Sequence, residues 1–181
     1  MFSKSYSSSG IVLSLKDYSE ADKLVSIFTK DHGKVRFLAK GVQKPTSRKR
    51  GHIEVFNLIK FSASKTNSID ILTEVSVLDS MSQVRADLSR LSLAYFFTEV
   101  VSRLTQDQEP NDELYIFLLK SLENLKTARQ LKQLRMEFIA QMLTMMGFWP
   151  QGREMKNPDQ VLEEVAERQF SSIRIGKKVL S

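Results

Sequence analysis

The spacing of apolar residues changes once along this chain of 181 residues, and that change constrains the fold more than any other feature. Up to about Leu78 the apolar residues tend to alternate with polar ones, as they do in strands with one buried face. From about Val84 onward they recur every three or four residues, which is the period of an α-helix. The pattern therefore predicts an α+β chain, with a strand-rich domain over residues 1–80 and a helical bundle domain over residues 81–181.

Five short strands are predicted in the first domain. Their apolar residues fall in the ranges 11–15, 24–28, 35–39, 53–61 and 69–77. Polar turns separate them, and Asp31-His32-Gly33 has the chemistry of a tight hairpin. Because closing a small sheet removes its exposed edges, five strands within residues 1–80 favour a small barrel, with the OB-fold as the leading candidate.

The second domain is predicted to contain four helices. The first covers residues 84–104, and the second begins after an N-cap at Asn111 and runs to Leu125. A third covers about 128–146, with Gly147 as its C-terminal cap. The last begins at Asn157-Pro158 and continues towards Leu180.

A cationic segment lies between Gly33 and Ile53, where seven Lys and Arg residues occur without an acidic one. The segment starts on the third predicted strand and continues into a loop that contains Gly, Pro and Ser. Such a loop suits a nucleic-acid backbone, because each phosphate that it neutralises releases counterions. The candidate phosphate contacts are Lys34, Arg36, Lys40, Lys44, Arg48, Lys49 and Arg50. The alternative is a solvated loop whose charge only aids solubility.

Phe37 lies within this segment and is the one aromatic residue there that could stack on a base. It shares its strand face with Val35 and Ala39, so we expect it in the barrel core instead.

The overall charge agrees with a basic first domain. The net charge is +6, and residues 1–80 hold 13 Lys and Arg against 8 Asp and Glu, whereas residues 81–181 hold 14 against 13. The absence of cysteine excludes disulfides, thiolate catalysis and cysteine-ligated zinc, and it fits a reducing compartment. Since neither a membrane span nor the apolar stretch of a signal peptide is recognisable, we expect a cytoplasmic protein that does not bind membranes.

No catalytic motif is recognisable. His32 and His52 lie in predicted turns without companions at metal-ligand or triad spacing. The chain also lacks the G-x-x-x-x-G-K-[ST] and G-x-G-x-x-G phosphate-binding motifs. We therefore expect a protein that is not an enzyme and that uses no cofactor, metal ion or small-molecule substrate.

A set of short motifs, taken in order, resembles the bacterial recombination mediator family RecO. The matching segments are Gly10-Ile11-Val12-Leu13, Asp17-Tyr18-Ser19-Glu20-Ala21-Asp22-Lys23-Leu24, Phe28-Thr29-Lys30-Asp31-His32-Gly33-Lys34, Ala39-Lys40-Gly41, Ser47-Arg48, Glu54-Val55-Phe56, Thr73-Glu74, Glu137-Phe138, Gly147-Phe148 and Ser172-Ile173-Arg174. The ordered set covers most of the chain and carries the resemblance, because each segment alone is common. The resemblance implies an N-terminal OB-fold joined to a helical domain, which the periodicity predicts independently.

The chain departs from that family in one respect. Many RecO proteins carry a four-cysteine zinc module after the Gly-Phe helix end, whereas residues 150–158 here contain no cysteine. The chain therefore resembles a compact, zinc-free form, which is either a natural short form or part of a longer protein.

The resemblance also implies a function and partners. RecO proteins bind single- and double-stranded DNA, anneal complementary strands and, with RecR, help to load RecA onto single strands coated by single-stranded-DNA-binding protein (SSB). They also recognise the acidic, Phe-terminated tail of SSB, for which the third predicted helix offers cations beside methionines. The candidate tail contacts are Lys132, Arg135, Met142, Met145 and Met146. The alternative is that these methionines are sealed inside the helical core.

Three other functions stay open at the level of sequence. An OB-fold RNA-binding protein would carry the same basic barrel, and a preference for structured RNA would distinguish it. A docking adaptor would use only the helical half, and it would bind its partner normally after the basic loop was neutralised. A hydrolase is the least favoured, and a nuclease or ATPase assay would detect it.

Overall fold

The first part of the chain forms a closed five-stranded barrel in a computed structural model that describes residues 5–167. The strands are β1 (Ser5–Asp17), β2 (Lys23–Thr29), β3 (Gly33–Ala39), β4 (Leu58–Ser64) and β5 (Ile71–Asp79). They follow the order β1-β2-β3-β5-β4, and the β3–β5 pair is parallel while the others are antiparallel. The prediction of an OB-fold barrel followed by helices is confirmed.

The long strand β1 closes the barrel by pairing with two neighbours. Its first half, from Ser5 to Ile11, pairs with β4, and its second half, from Gly10 to Asp17, pairs with β2. Gly10 lies where the two halves meet, and a Cβ there would be 2.5 Å from the Ile27 side chain. Glycine therefore permits β1 to approach β2 closely enough to turn from one neighbour to the other.

The barrel core consists of residues that alternate inward along the strands. On β3, Val35, Phe37 and Ala39 are buried, and the Phe37 ring packs edge-on against Phe61 with 5.0 Å between centroids. Phe37 is therefore a core residue, as the pattern of its strand face predicts.

The fourth strand begins later than predicted. Alternation placed its start at Ile53, whereas β4 begins at Leu58. Phe56 has a positive φ of 57°, which interrupts an extended strand. Ile53 and Phe56 are nevertheless buried, so these apolar residues pack from a loop, which apolar spacing alone does not distinguish from a strand.

Helices follow the barrel in the described residues. They are α1 (Ser82–Arg85), α2 (Leu88–Leu104), α3 (Asp112–Leu125), α4 (Leu131–Met145) and α5 (158–167). The first predicted helix is divided in two, because extended Asp87 ends α1 and caps α2 by accepting a hydrogen bond from the Arg90 amide.

The predicted start of α3 and end of α4 agree with the structure, whereas α4 begins at Leu131, about three residues later than predicted. The Asn111 side chain caps α3 by accepting from the Leu114 amide. Gly147 ends α4 at φ +77°, and the Phe148 amide donates to the Leu143 carbonyl at 2.9 Å, which completes a glycine-type C-terminal cap. The predicted continuation of the last helix towards Leu180 lies outside the described residues.

The chain divides by Cα proximity into two compact units, Met1–Thr127 and Ala128–Ser181. The first unit holds the barrel with α1, α2 and α3, and the second holds α4 and α5. A domain boundary at residue 80 stays a prediction. Among residues 5–167, no helix combines the length and the apolarity that crossing a membrane requires.

Candidate nucleic-acid interface

Residues 40–51, which we call the basic loop, connect β3 towards β4 and pack against the barrel. Val42, within the loop, and Ile53, just after it, are buried in the barrel core. The Gly41 amide donates to the Asp22 carboxylate at 2.7 Å, and the Gln43 amide donates to the Ala21 carbonyl at 3.0 Å. The loop is therefore an anchored structure with a fixed path over the barrel end.

Lys49 holds the C-terminal part of the basic loop to β5. Its Nζ donates to the Leu72 carbonyl at 2.8 Å. Burial lowers the pKa of Lys49, and the nearby Glu74 carboxylate opposes that effect. Lys49 is half-buried and holds the loop in place, whereas its neighbours Arg48 and Arg50 are exposed to solvent.

Four cations of the basic loop are exposed to solvent. They are Lys40, Lys44, Arg48 and Arg50. In the part of the chain that the structure describes, none of the four forms an ion pair with a carboxylate. Their charge is therefore available to an anion in solution, and their common loop presents it as one patch.

Lys34 occupies a structural position, which corrects its prediction as a phosphate contact. Its side chain is only 11% exposed, and its Nζ lies 3.3 Å from the Asp107 carboxylate. The same Nζ donates to the carbonyls of Ser102 and Thr105, at 2.7 and 2.6 Å. Carbonyls at the C-terminal end of a helix lack helical partners and form the negative end of its dipole. Lys34 therefore stabilises the end of α2 and has no donor left for DNA.

Arg36 lies on the same outer face of β3 but reaches solvent. Its side chain is 62% exposed and forms an ion pair with Asp107. A phosphate can compete for this guanidinium, because an exposed ion pair is weakly held. The part played by Asp107 was missed from the sequence, since it lies in the segment after α2 and only the fold brings it beside β3.

Only some of the predicted tail contacts on α4 lie on the surface. Met142 is completely buried in the second unit, so it cannot line a surface pocket, and its prediction as a tail contact is corrected. Arg135 forms an ion pair with Asp159 of α5. Lys132 is exposed, and Met145 and Met146 are half-buried. Helical spacing puts Arg135 and Met142, two turns apart, on nearly the same face of α4, but packing buries Met142 there and leaves Arg135 partly exposed beside Asp159.

Two family models match the chain. The model described as "Recombination protein O N terminal" matches residues 1–81, and the one described as "Recombination protein O C terminal" matches residues 85–154.

Individual relatives agree with these matches. A protein named DNA repair protein RecO from Pelotomaculum thermopropionicum is 31% identical over 147 residues, which cover 81% of this chain and 57% of that protein. The protein of the same name from Bacillus subtilis is 33% identical over 142 residues, covering 78% and 56%. The one from Roseiflexus is 32% identical over 171 residues, covering 94% and 60%. The chain therefore matches little more than half the length of these relatives.

Proposed function

The chain belongs to the Recombination protein O (RecO) family, and from that premise we propose that it is a DNA-binding mediator of DNA repair that anneals complementary strands. The observation that best supports this function is the basic loop, where Lys40, Lys44, Arg48 and Arg50 are exposed and free of carboxylate partners among residues 5–167. The relatives carry DNA repair in their names, and we extend that role to this chain.

Annealing on such a surface needs electrostatics and no bond-making chemistry. Two single strands repel each other because both backbones carry a negative charge at every phosphate. A cationic loop that holds one backbone and screens a second lowers that repulsion while the bases stay free to pair. The anchoring of the loop by Asp22 and Ala21 fixes the cations relative to the barrel, so less conformational entropy is lost when DNA binds.

We further propose that the protein acts with RecR to load RecA onto single strands coated by SSB. The acidic, Phe-terminated SSB tail would bind the second unit, where Lys132 is exposed and Met145 and Met146 are partly accessible. Met136 and Phe148 add exposed apolar surface in the same unit. Methionine surfaces adapt to aromatic ligands, and a neighbouring ammonium suits an acidic peptide. Arg135 contributes less to this proposal, because Asp159 already engages it.

A strand-annealing assay tests the central activity. We expect the variant with Lys40, Lys44, Arg48 and Arg50 all replaced by alanine to anneal naked complementary oligonucleotides about tenfold more slowly, or worse, at moderate salt. Its thermal unfolding should match that of the parent, because exposed loop charges contribute little to stability. A variant that is folded and anneals at the parental rate would contradict the proposed function of the loop.

A further inference from the structure

A cleft lies between the outer face of β1, β2 and β3 and the helix α2. Its volume is about 640 Å³, within the range of roughly 300–1,000 Å³ that is usual for ligand sites. Ser14, Ser26 and Arg36 stand side by side in strand register and line it. The cleft therefore has a floor of hydroxyl groups and a guanidinium, on three strands that the closed barrel holds rigidly.

Tyr95 of α2 forms part of the opposite wall. It is 47% exposed, and its ring meets the fully buried Phe56 edge-on, with centroids 5.2 Å apart at 84°. The Arg85 guanidinium lies over the Phe56 ring, 4.1 Å from its centroid. An exposed ring that a buried ring holds in place is a preorganised surface for stacking, since little freedom remains to be lost.

The charges around the cleft favour an anionic ligand. Lys16, Lys34, Arg36 and Arg103 line it, against the single carboxylate of Glu99. Glu99 pairs with Arg103, and Asp107 pairs with both Lys34 and Arg36. Lys16 is exposed and forms no ion pair within residues 5–167. The cations most open to a phosphate are therefore Lys16 and the solvent-exposed Arg36.

We propose that this cleft binds a short segment of single-stranded nucleic acid, with an unpaired base stacked on Tyr95 and backbone phosphates at Lys16 and Arg36. The proposal rests on the proposed function and adds a second, strand-selective site to the basic loop. A duplex keeps its bases stacked on each other, so only an unpaired base can use the Tyr95 ring. The loop then serves both forms of DNA through their phosphates, while the cleft favours the single strand.

Tyr95→Ala and Tyr95→Phe test the stacking contact. The probe is a fluorescein-labelled oligothymidylate of about 12 nucleotides, a length that suits one OB-fold, and a duplex of the same length serves for comparison. Tyr95→Ala should weaken binding of the single strand about 5- to 150-fold and leave duplex binding unchanged, whereas Tyr95→Phe should bind both like the parent. The matched control is Tyr18→Ala, because Tyr18 is 57% exposed in the turn after β1 and does not line the cleft.

The phosphate contacts have a separate signature. Lys16→Ala should make the slope of log affinity against log salt shallower by about 0.7 for the single strand, whereas Tyr95→Ala should leave that slope unchanged.

Equal losses of affinity for the single strand and for the duplex in Tyr95→Ala would overturn the proposal. It would also be overturned if a polyglutamate peptide displaced the oligonucleotide as effectively as unlabelled oligothymidylate, because a peptide has no base to stack.

Photo-crosslinking provides a readout that does not depend on a destabilised variant. An oligonucleotide that carries 5-iododeoxyuridine should crosslink to Tyr95 of the parent protein on irradiation, as identified by mass spectrometry of the peptides. Crosslinks confined to the basic loop would show that the loop binds DNA while the cleft does not, which overturns this proposal alone. A parent protein that binds neither oligonucleotide would overturn the proposed function as well.

Discussion

Lys34 lies on the outer side of β3, and Lys40 lies just beyond the end of that strand. Their surroundings give Lys34 a structural role and leave Lys40 available to bind DNA. Lys34 is buried and donates to the carbonyls that end α2. Lys40 is exposed and has no carboxylate partner in the described residues. Both are lysines of one short segment, so the sequence does not distinguish them. Lys34 is buried because the end of α2 and Asp107, which are distant in the sequence, contact it in the fold.

Alanine at each of these positions should therefore give opposite results. Lys34→Ala removes the buried ammonium that donates to the Ser102 and Thr105 carbonyls, so the free energy of unfolding should fall by about 1–3 kcal/mol. Its slope of DNA affinity against salt should stay parental. Lys40→Ala should keep the stability and make that slope shallower. Urea unfolding and fluorescence anisotropy across salt concentrations measure both quantities, and a stable Lys34→Ala protein with a shallower slope would contradict the structural role of Lys34.

The end of β5 and the end of α3 are joined by one carboxylate. Asp79 forms an ion pair with Lys126, and it accepts a hydrogen bond from the Met81 amide at 2.8 Å. Burial acts to raise the pKa of Asp79, but these two hydrogen bonds and the Lys126 charge outweigh it, so its pKa lies below the usual carboxyl range. The junction between the barrel and the helices of the first unit is thus sensitive to acid.

Asp79→Asn tests this junction by its dependence on pH. Because the folded pKa is lowered, the stabilisation is fully present above the ordinary carboxyl pKa of about 4 and disappears as the pH falls through the folded value. The parent should therefore be more stable than Asp79→Asn near pH 7, and the difference should shrink as the pH is lowered towards 2. Urea unfolding at several pH values measures it. Glu123→Gln, at an exposed position of α3, should show a much smaller change, and a difference that is constant with pH would contradict the assignment.

Apolar periodicity predicted the elements well where burial follows a regular pattern. The core face of β3 and the caps at Asn111 and Gly147 depend on local sequence, and all three agree with the structure. The errors have a common cause in contacts between distant residues. The carboxylate of Asp107 reaches Lys34, and the burial of Met142 depends on packing that helical spacing alone does not specify. The sequence identifies candidate cations, but only the fold shows which of them already form ion pairs or hydrogen bonds within the protein.

The two compact units carry different parts of the proposed function. The basic loop lies in the first unit, and the proposed SSB-tail surface lies in the second. Contacts with DNA and with the SSB tail should therefore be separable by mutation, because neither set of residues is shared.

Lys132→Glu should separate them. The added negative charge on α4 should weaken binding of a labelled SSB-tail peptide and slow the annealing of SSB-coated strands, while annealing of naked strands stays near the parental rate. Lys120→Glu, at an exposed position of α3, makes the same charge change in the other unit and serves as the control. Fluorescence anisotropy with the tail peptide is the measurement, and equal peptide affinity in Lys132→Glu and the parent would place the tail site elsewhere.

The central claim for the whole molecule is that exposed cations of the basic loop contact DNA phosphates. Its most direct test compares Lys44, Arg48 and Arg50 replaced together by alanine with Lys30, Lys60 and Lys120 replaced together, since both variants remove three exposed positive charges. The slope of log affinity against log salt should become shallower by about 0.7–0.9 for each phosphate that the loop variant no longer neutralises, for unrelated DNA sequences alike, and should change much less in the control. A folded loop variant with the parental slope, or equal changes in the two variants, would contradict the account.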